Sequence, residues 1–263
     1  MISNTIVDLN SLEAGAQCFP LYWYEKNDSG EPALPGMELE GQYTQKDGVT
    51  DWILKEVCSR YKVKEGELNR EHIFYYVYGL LHSAQYRERF ADDLKKSLPR
   101  IPIVEKLEDF LEFQKKGKEL ADLHLNYEAL EPCPGVQVIR VREPEDEYEF
   151  YRVEKMRFPA KDQKDTIIYN GELRIENIPA KAYQYVLSGK SAIEWIMERY
   201  QVSVHKESQI KNDPNDWSRE HEQPRYILDL LLSVIHLSVK SVEIMESLPK
   251  LTFEDPSPDS QES

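Results

Sequence analysis

The chain has 263 residues, with 33 lysines and arginines against 48 aspartates and glutamates, and so carries a net charge of −15. That length allows one large domain or two modest lobes, and 40% hydrophobic with 31% charged residues is a soluble globular composition that excludes a wholly disordered chain. No run approaches the ~18 apolar residues of a membrane helix, the N-terminus lacks a secretory signal, and Cys18, Cys58 and Cys133 exclude a disulfide scaffold or zinc knuckle and fit a reducing cytoplasm.

Residues 1–17 are irregular. Cys18 to Tyr24 reads as one strand followed by a turn at Asn27–Gly30, and Pro32, Pro35 and Gly36 make 28–48 a loop. Thr50 caps a helix over Asp51–Tyr61. Glu71–His82 is apolar nearly all round, as a buried helix is, and Ser83 starts another over Ala84–Lys96. The prolines of Leu98–Ile103 hold that stretch extended. Val104–Asn126 is a long amphipathic helix with Leu107, Phe110, Leu111, Leu120 and Leu123 on its apolar side.

After Glu131–Gly135 the texture changes to strands, at Val136–Val141 and Tyr148–Phe158. Thr166–Tyr169 and Glu172–Glu176 form a hairpin around Asn170-Gly171, a pair that favours a type I′ turn. Helices return at Pro179–Leu187 and Ser191–Tyr200, the latter with Ser191 and Glu194 spaced as a capping box. Residues 201–222 are loop-like, Tyr226–Leu248 is a long helix with a core-forming first half, and 251–263 is an acidic disordered tail. The fold class is therefore α+β: a helical lobe over 18–130, then a mixed strand and helix lobe over 136–250, with central antiparallel strands and a long buried C-terminal helix.

Charge is unevenly spread. Residues 119–150 carry 2 basic and 9 acidic groups, whereas 152–190 hold 8 basic and 5 acidic ones. A polyanion would be held at the second stretch and repelled elsewhere, although solvated faces give the same pattern. Ser188-Gly-Lys-Ser191 is not a phosphate loop, because Gln184 stands where the first glycine is required. Asn212-Asp-Pro-Asn215 lacks the second proline and the stacking aromatic of a methyl-transfer loop. The histidines form no HxH or HExxH set, and His72 and His82 fit satisfied core positions. No Gly-x-Ser-x-Gly elbow occurs.

What remains is polar and aromatic: Lys155, Arg157, Tyr169, Asn170, Arg174, Lys190, Arg199, Gln201, Lys211, Asn212, Asn215 and Trp217. Such side chains hold phosphates and read base edges, and they also serve ordinary surfaces. The residues alone lead to an α+β module without visible catalytic machinery. A DNA-binding module, a protein-interaction scaffold and an enzyme with a site assembled from distant residues all stay open.

Four segments carry a family likeness: Phe19-Pro-Leu-Tyr22; Phe74–Phe90 running on to Leu98-Pro-Arg-Ile-Pro102; Val153-Glu-Lys-Met-Arg-Phe158; and Ser191–Gln201 with Asn212–Trp217. In order and spacing they resemble the C-terminal specificity domain of Type ISP restriction–modification enzymes, over about residues 18 to 250. One departure is Ser188-Gly-Lys-Ser191 where the family has Asn-Gly-Arg-Ser; lysine keeps the charge and loses the bidentate geometry.

The resemblance implies a target-recognition domain that grips the major groove of double-stranded DNA and directs a neighbouring adenine-N6 methyltransferase domain, of the same or a companion polypeptide. S-adenosylmethionine, ATP and magnesium would belong to the other domains, so this chain by itself would be no enzyme and hold no cofactor. If the chain is such a domain, Lys155, Arg157, Lys190, Arg199 and Lys211 are expected as phosphate or base contacts and Tyr169, Asn170, Gln201, Asn212 and Asn215 as candidate polar readers, by the chemistry of their side chains. Trp217 is expected to anchor its loop in the core, and Gly79, Pro99, Pro102, Trp195 and Tyr200 to be scaffold.

Overall fold

The computed structural model describes residues 2–5, 17–26, 43–64 and 66–251. The turn expected at Asn27–Gly30 and nearly all of the acidic tail lie outside them. The fold is α+β, and the chain forms two compact units, Met1–Ala121 with Ser247–Ser263, and Asp122–Glu246.

In the first unit, β1 (Tyr22–Lys26) pairs antiparallel with β2 (Tyr43–Asp47), Tyr22 standing opposite Asp47. The end of the expected 28–48 loop is thus a strand. Trp23 ties it down by donating its indole N–H to the Asp47 carbonyl at 3.2 Å. Helix α1 (Asp51–Tyr61) starts on Thr50, whose hydroxyl accepts from the Ile53 N–H, and stops at Lys62 in the left-handed region, φ 53°. Helix α2 (Arg70–His82) opens on a capping box between Asn69 and His72, and His82 bonds the Tyr78 carbonyl, so both histidines are satisfied.

Helix α3 (Ala84–Arg89) stops well short of Lys96. Asp92, Asp93, Lys95 and Lys96 are exposed and leave too little apolar face to hold further turns. Three tyrosines then organise the proline segment: Tyr86, Tyr76 and Tyr61 donate their hydroxyls to the carbonyls of Arg100, Pro102 and Val104 at 2.6–2.7 Å. Such a segment has too few amides to form a ladder, so its carbonyls need side-chain donors. Helix α4 (Leu107–Leu125) crosses α2 closely. A Cβ on Gly117 would overlap the Tyr75 carbonyl, and one on Gly79 the Phe113 carbonyl.

In the second unit, β3 (Gln137–Arg140) is followed by α5 (Glu147–Phe150), β4 (Ile167–Ile168) and β5 (Leu173–Glu176); the sheet order is β3-β5-β4, all antiparallel. The strand expected over Tyr148–Phe158 is instead one helical turn and an irregular segment. Asp146 caps that turn by accepting from the Tyr148 and Glu149 amides, which overrides the alternating pattern.

The Asn170-Gly171 hairpin forms, but with a wider turn than type I′. Ile168 pairs with Arg174, neither turn residue has positive φ, and the Asn170 side chain accepts from the Glu172 and Leu173 amides. Pro179–Leu187 is a 3₁₀ turn over Ala180–Gln184 leading into β6 (Val186–Leu187) rather than a helix. Strand β6 pairs with β7 (Lys190–Ser191) around Ser188 and Gly189, at φ 49° and 86°. The two positive-φ residues of a tight hairpin turn sit there.

Helix α6 (Ala192–Arg199) has the expected capping box of Ser191 and Glu194. Residues 201–222 are not a plain loop. They hold a two-stranded ribbon, β8 (Ser203–Val204) with β9 (Lys211–Asn212), and helix α7 (Asn215–Glu220). Helix α8 (Tyr226–Glu246) fills the core: Leu228, Leu231 and Ile235 are fully buried in one cluster with Ile167, Leu173 and Ile175 from the inner face of the sheet. No helix of the described residues is long and apolar enough to cross a membrane.

Candidate nucleic-acid interface

Strand alternation puts Leu173 and Ile175 into the core and sends Arg174 outward. Arg174 pairs with Ile168, and Ile168 is bridged on its other side to Arg157, through the Arg157 N–H to the Ile168 carbonyl at 3.1 Å and the Ile168 N–H to the Arg157 carbonyl at 2.8 Å. Arg157 and Arg174 therefore flank one half-buried isoleucine on the outer face, two strand spacings or about 10 Å apart. Neither guanidinium has a carboxylate partner among the described residues, and neither has Lys155, which is exposed two residues before Arg157.

One backbone bond and two from the Asn215 side chain tie this edge to the ribbon. The Val202 N–H donates to the Glu154 carbonyl at 2.9 Å. Asn215 accepts from the Val153 N–H at 2.9 Å and donates to the Val153 carbonyl at 2.8 Å. Segments 153–157, 201–204 and 211–215 are thus neighbours, which brings together Lys155, Gln201, Lys211 and Asn212.

At their junction lies Asp213, its side chain 4% exposed. It accepts from Arg152 at 2.6 Å, from Lys211 at 3.0 Å and from the Asn215 amide at 2.7 Å. Burial alone would raise this carboxyl. The bonds from Arg152, Asn215 and Lys211 outweigh it and hold Asp213 well below the usual carboxylate range.

A second group of cations is displayed by α6. Trp195 donates its indole N–H to the Leu187 carbonyl at 2.7 Å, fixing the β6–β7 hairpin to the helix. Lys190 and Arg199 lie over its ring, 5.0 and 5.4 Å from the centroid, and Lys190 is also paired with Glu198. Lys190 sits directly after the Ser188-Gly189 turn.

Three of the expected polar readers are structural. Tyr169 is fully buried and donates its hydroxyl to the Tyr151 carbonyl. The Asn170 amide donates to the carbonyls of Phe150 and Arg152, and its oxygen closes the turn, so its whole hydrogen-bonding capacity is engaged. Asn215 is 6% exposed and clamps Val153. Tyr169 and Asn215 are thus buried, and half-buried Asn170 has no hydrogen-bonding capacity left for a base edge.

Trp217 is not in the core either. It is 38% exposed and stacks on His221 and Tyr226, with centroids 4.0 and 4.1 Å away. The ribbon also exposes His205, Lys206 and Ile210, in a stretch whose Lys206-Glu207-Ser208-Gln209 reads as a turn in the sequence.

The model of the Type ISP C-terminal specificity domain matches residues 1–230. The chain belongs to this family. Among solved structures, the specificity domain is similar to the ATP-dependent Type ISP restriction–modification enzyme LlaBIII bound to DNA, at 41% identity and a TM-score of 0.76, covering 94% of this chain and 14% of that one. It is also similar to a nuclease-deletion mutant of the Type ISP enzyme LlaGI in complex with a DNA substrate mimic, at 42% identity and TM-score 0.64, covering 80% of this chain and 14% of that one. A third is the DrdV–DNA complex, at 28% identity and TM-score 0.64, covering 79% and 20%. The Type ISP specificity domain here therefore spans about a seventh of the first two solved chains. No curated protein matches it.

Proposed function

We propose that this specificity domain binds duplex DNA sequence-specifically through its second unit, and that it directs an adenine-N6 methyltransferase domain and restriction machinery carried on the same or a companion polypeptide. The observation that carries the reading is the outward row of Arg157 and Arg174 with neighbouring Lys155: three exposed cations without carboxylate partners among the described residues, on a chain of net charge −15. Its similarity to enzymes solved with DNA supports the same polyanion. No observation favours the scaffold reading.

In this account Lys155, Arg157 and Arg174 take phosphates, as point charge and forks respectively. Lys190 and Arg199 add a second pair of cations, Lys190 exchanging Glu198 for a phosphate on binding, while Lys211 keeps its bond to Asp213. Gln201 and Asn212 remain as polar readers. The domain positions and carries out no chemistry itself; S-adenosylmethionine, ATP and magnesium would be held by companion domains.

The test compares the full chain with its Lys155→Ala/Arg157→Ala variant in anisotropy titrations with a fluorescent random-sequence duplex at low salt. A loss of at least tenfold in affinity is expected, and equal affinity overturns the assignment of this face.

A further inference from the structure

We propose that the ribbon Ser203–Asn212 enters the major groove of the bound duplex, with His205, Ile210 and Asn212 as specificity-determining side chains. This rests on the DNA-binding reading above and goes beyond it in naming the element that reads sequence. All ten residues from 203 to 212 are exposed. Ser203 pairs with Asn212 and Val204 with Lys211. The ladder continues as the His205 N–H donates to the Ile210 carbonyl at 2.9 Å, and the tip closes with the Gln209 N–H on the His205 carbonyl and Gln209 at φ 57°. A two-stranded ribbon of this kind fits the major groove, which is about 12 Å wide.

Alternation divides the side chains. Ser203, His205, Ile210 and Asn212 share one face, while Val204 and Lys211 share the other. The first face has the chemistry of base edges. Asn212 offers a carboxamide without a partner among the described residues, the group that pairs bidentately with adenine. Ile210, 68% exposed, is an apolar surface suited to a thymine methyl. His205 is set as a donor: its Nδ1 accepts from the Ser208 N–H at 3.2 Å, which leaves the proton of the neutral ring on Nε2.

At the tip, Lys206 carries positive charge beside Glu207, and Lys211 on the opposite face is paired with Asp213. The root is rigid. Val202 is bonded to Glu154, and Asp213 with Arg152, Lys211 and Asn215 locks the end of β9 to the buried Val153. A reader needs such a mount, because base discrimination is lost when side chains drift.

The test is selection from random-sequence duplex DNA by the full chain and by its His205→Ala, Ile210→Ala and Asn212→Ala variants, with circular dichroism to confirm each fold. The wild-type chain is expected to enrich a motif, and each variant to lose base preference at one or two positions of it while keeping the others. The same motif from all three variants overturns the ribbon assignment and leaves the DNA-binding reading standing. No enrichment by the wild-type chain overturns that reading, and the ribbon with it.

Discussion

Asp213 fixes the root of the ribbon on which the proposed recognition depends. Its buried carboxylate joins Arg152, Lys211 and Asn215 at the root of the ribbon. Asp213→Asn removes the charge that Arg152 faces and is expected to cost on the order of 3 kcal/mol in chemical denaturation. The pH dependence follows from the same bonds. The folded carboxyl titrates below its unfolded value of ~3.9, so its stabilisation is full above that value and is lost as pH falls through about 4 and below. The wild-type chain should lose stability over that acid range by more than the variant does. Equal acid sensitivity in both would contradict the lock. Asn170→Ala should likewise destabilise, by about 2–4 kcal/mol, since two carbonyls and two amides lose their partner. A variant that melts like the wild type but alters the selected motif would return Asn170 to the readers.

Elements were legible where capping and apolar period agree. Thr50, Ser83 and Ser191 cap the helices they were expected to start, and the long helices were placed to within a few residues because an apolar stripe persists for five turns. Failures cluster where a side chain competes with the local pattern. Asp146 turns an alternating segment into a helical turn, and Asn170 replaces a type I′ turn by bonding the backbone itself. The ribbon and α7 in 201–222 were hidden because two-residue strands carry no period. Of the candidate site, charge marks Lys155 and Arg157, which the structure leaves exposed, whereas the burial of Tyr169 and Asn215 and the engaged amide of Asn170 are decided by tertiary contacts that no local pattern shows.

The crossing of α2 and α4 gives a prediction at this scale. Gly117→Ala must push a Cβ into the Tyr75 carbonyl and is expected to cost about 2–3 kcal/mol, or to unfold the first unit. Gly171→Ala meets nothing within 4 Å and has no positive φ, so it should be neutral or slightly stabilising. Thermal melts of the pair test the crossing directly; similar melting temperatures would contradict it.

Across the whole molecule, a net charge of −15 and a DNA-binding surface are compatible only if repulsion is distributed and attraction is local. The acidic residues outnumber the basic ones most strongly over 119–150 and in the first 83 residues, while 151–217 is near balance, with 11 basic and 10 acidic. On the proposed reading, long-range steering opposes encounter and short-range phosphate contacts hold the complex, which makes affinity sensitive to ionic strength in two opposing ways. Added salt screens the repulsion between exposed charges beyond a Debye length of about 10 Å at 0.1 M. It also removes the gain from releasing counterions. The second effect dominates when phosphates are neutralised at close range, and each contact adds about 0.9 to the slope of log K against log salt.

The most direct test is thus the salt dependence of duplex binding by the full chain, set beside the Lys155→Ala/Arg157→Ala/Arg174→Ala variant. The account predicts affinity falling linearly on a log–log plot for the wild type, with the slope reduced by about 2–3 in the variant. Affinity that is flat or rises with salt, or identical slopes in the two proteins, would contradict it.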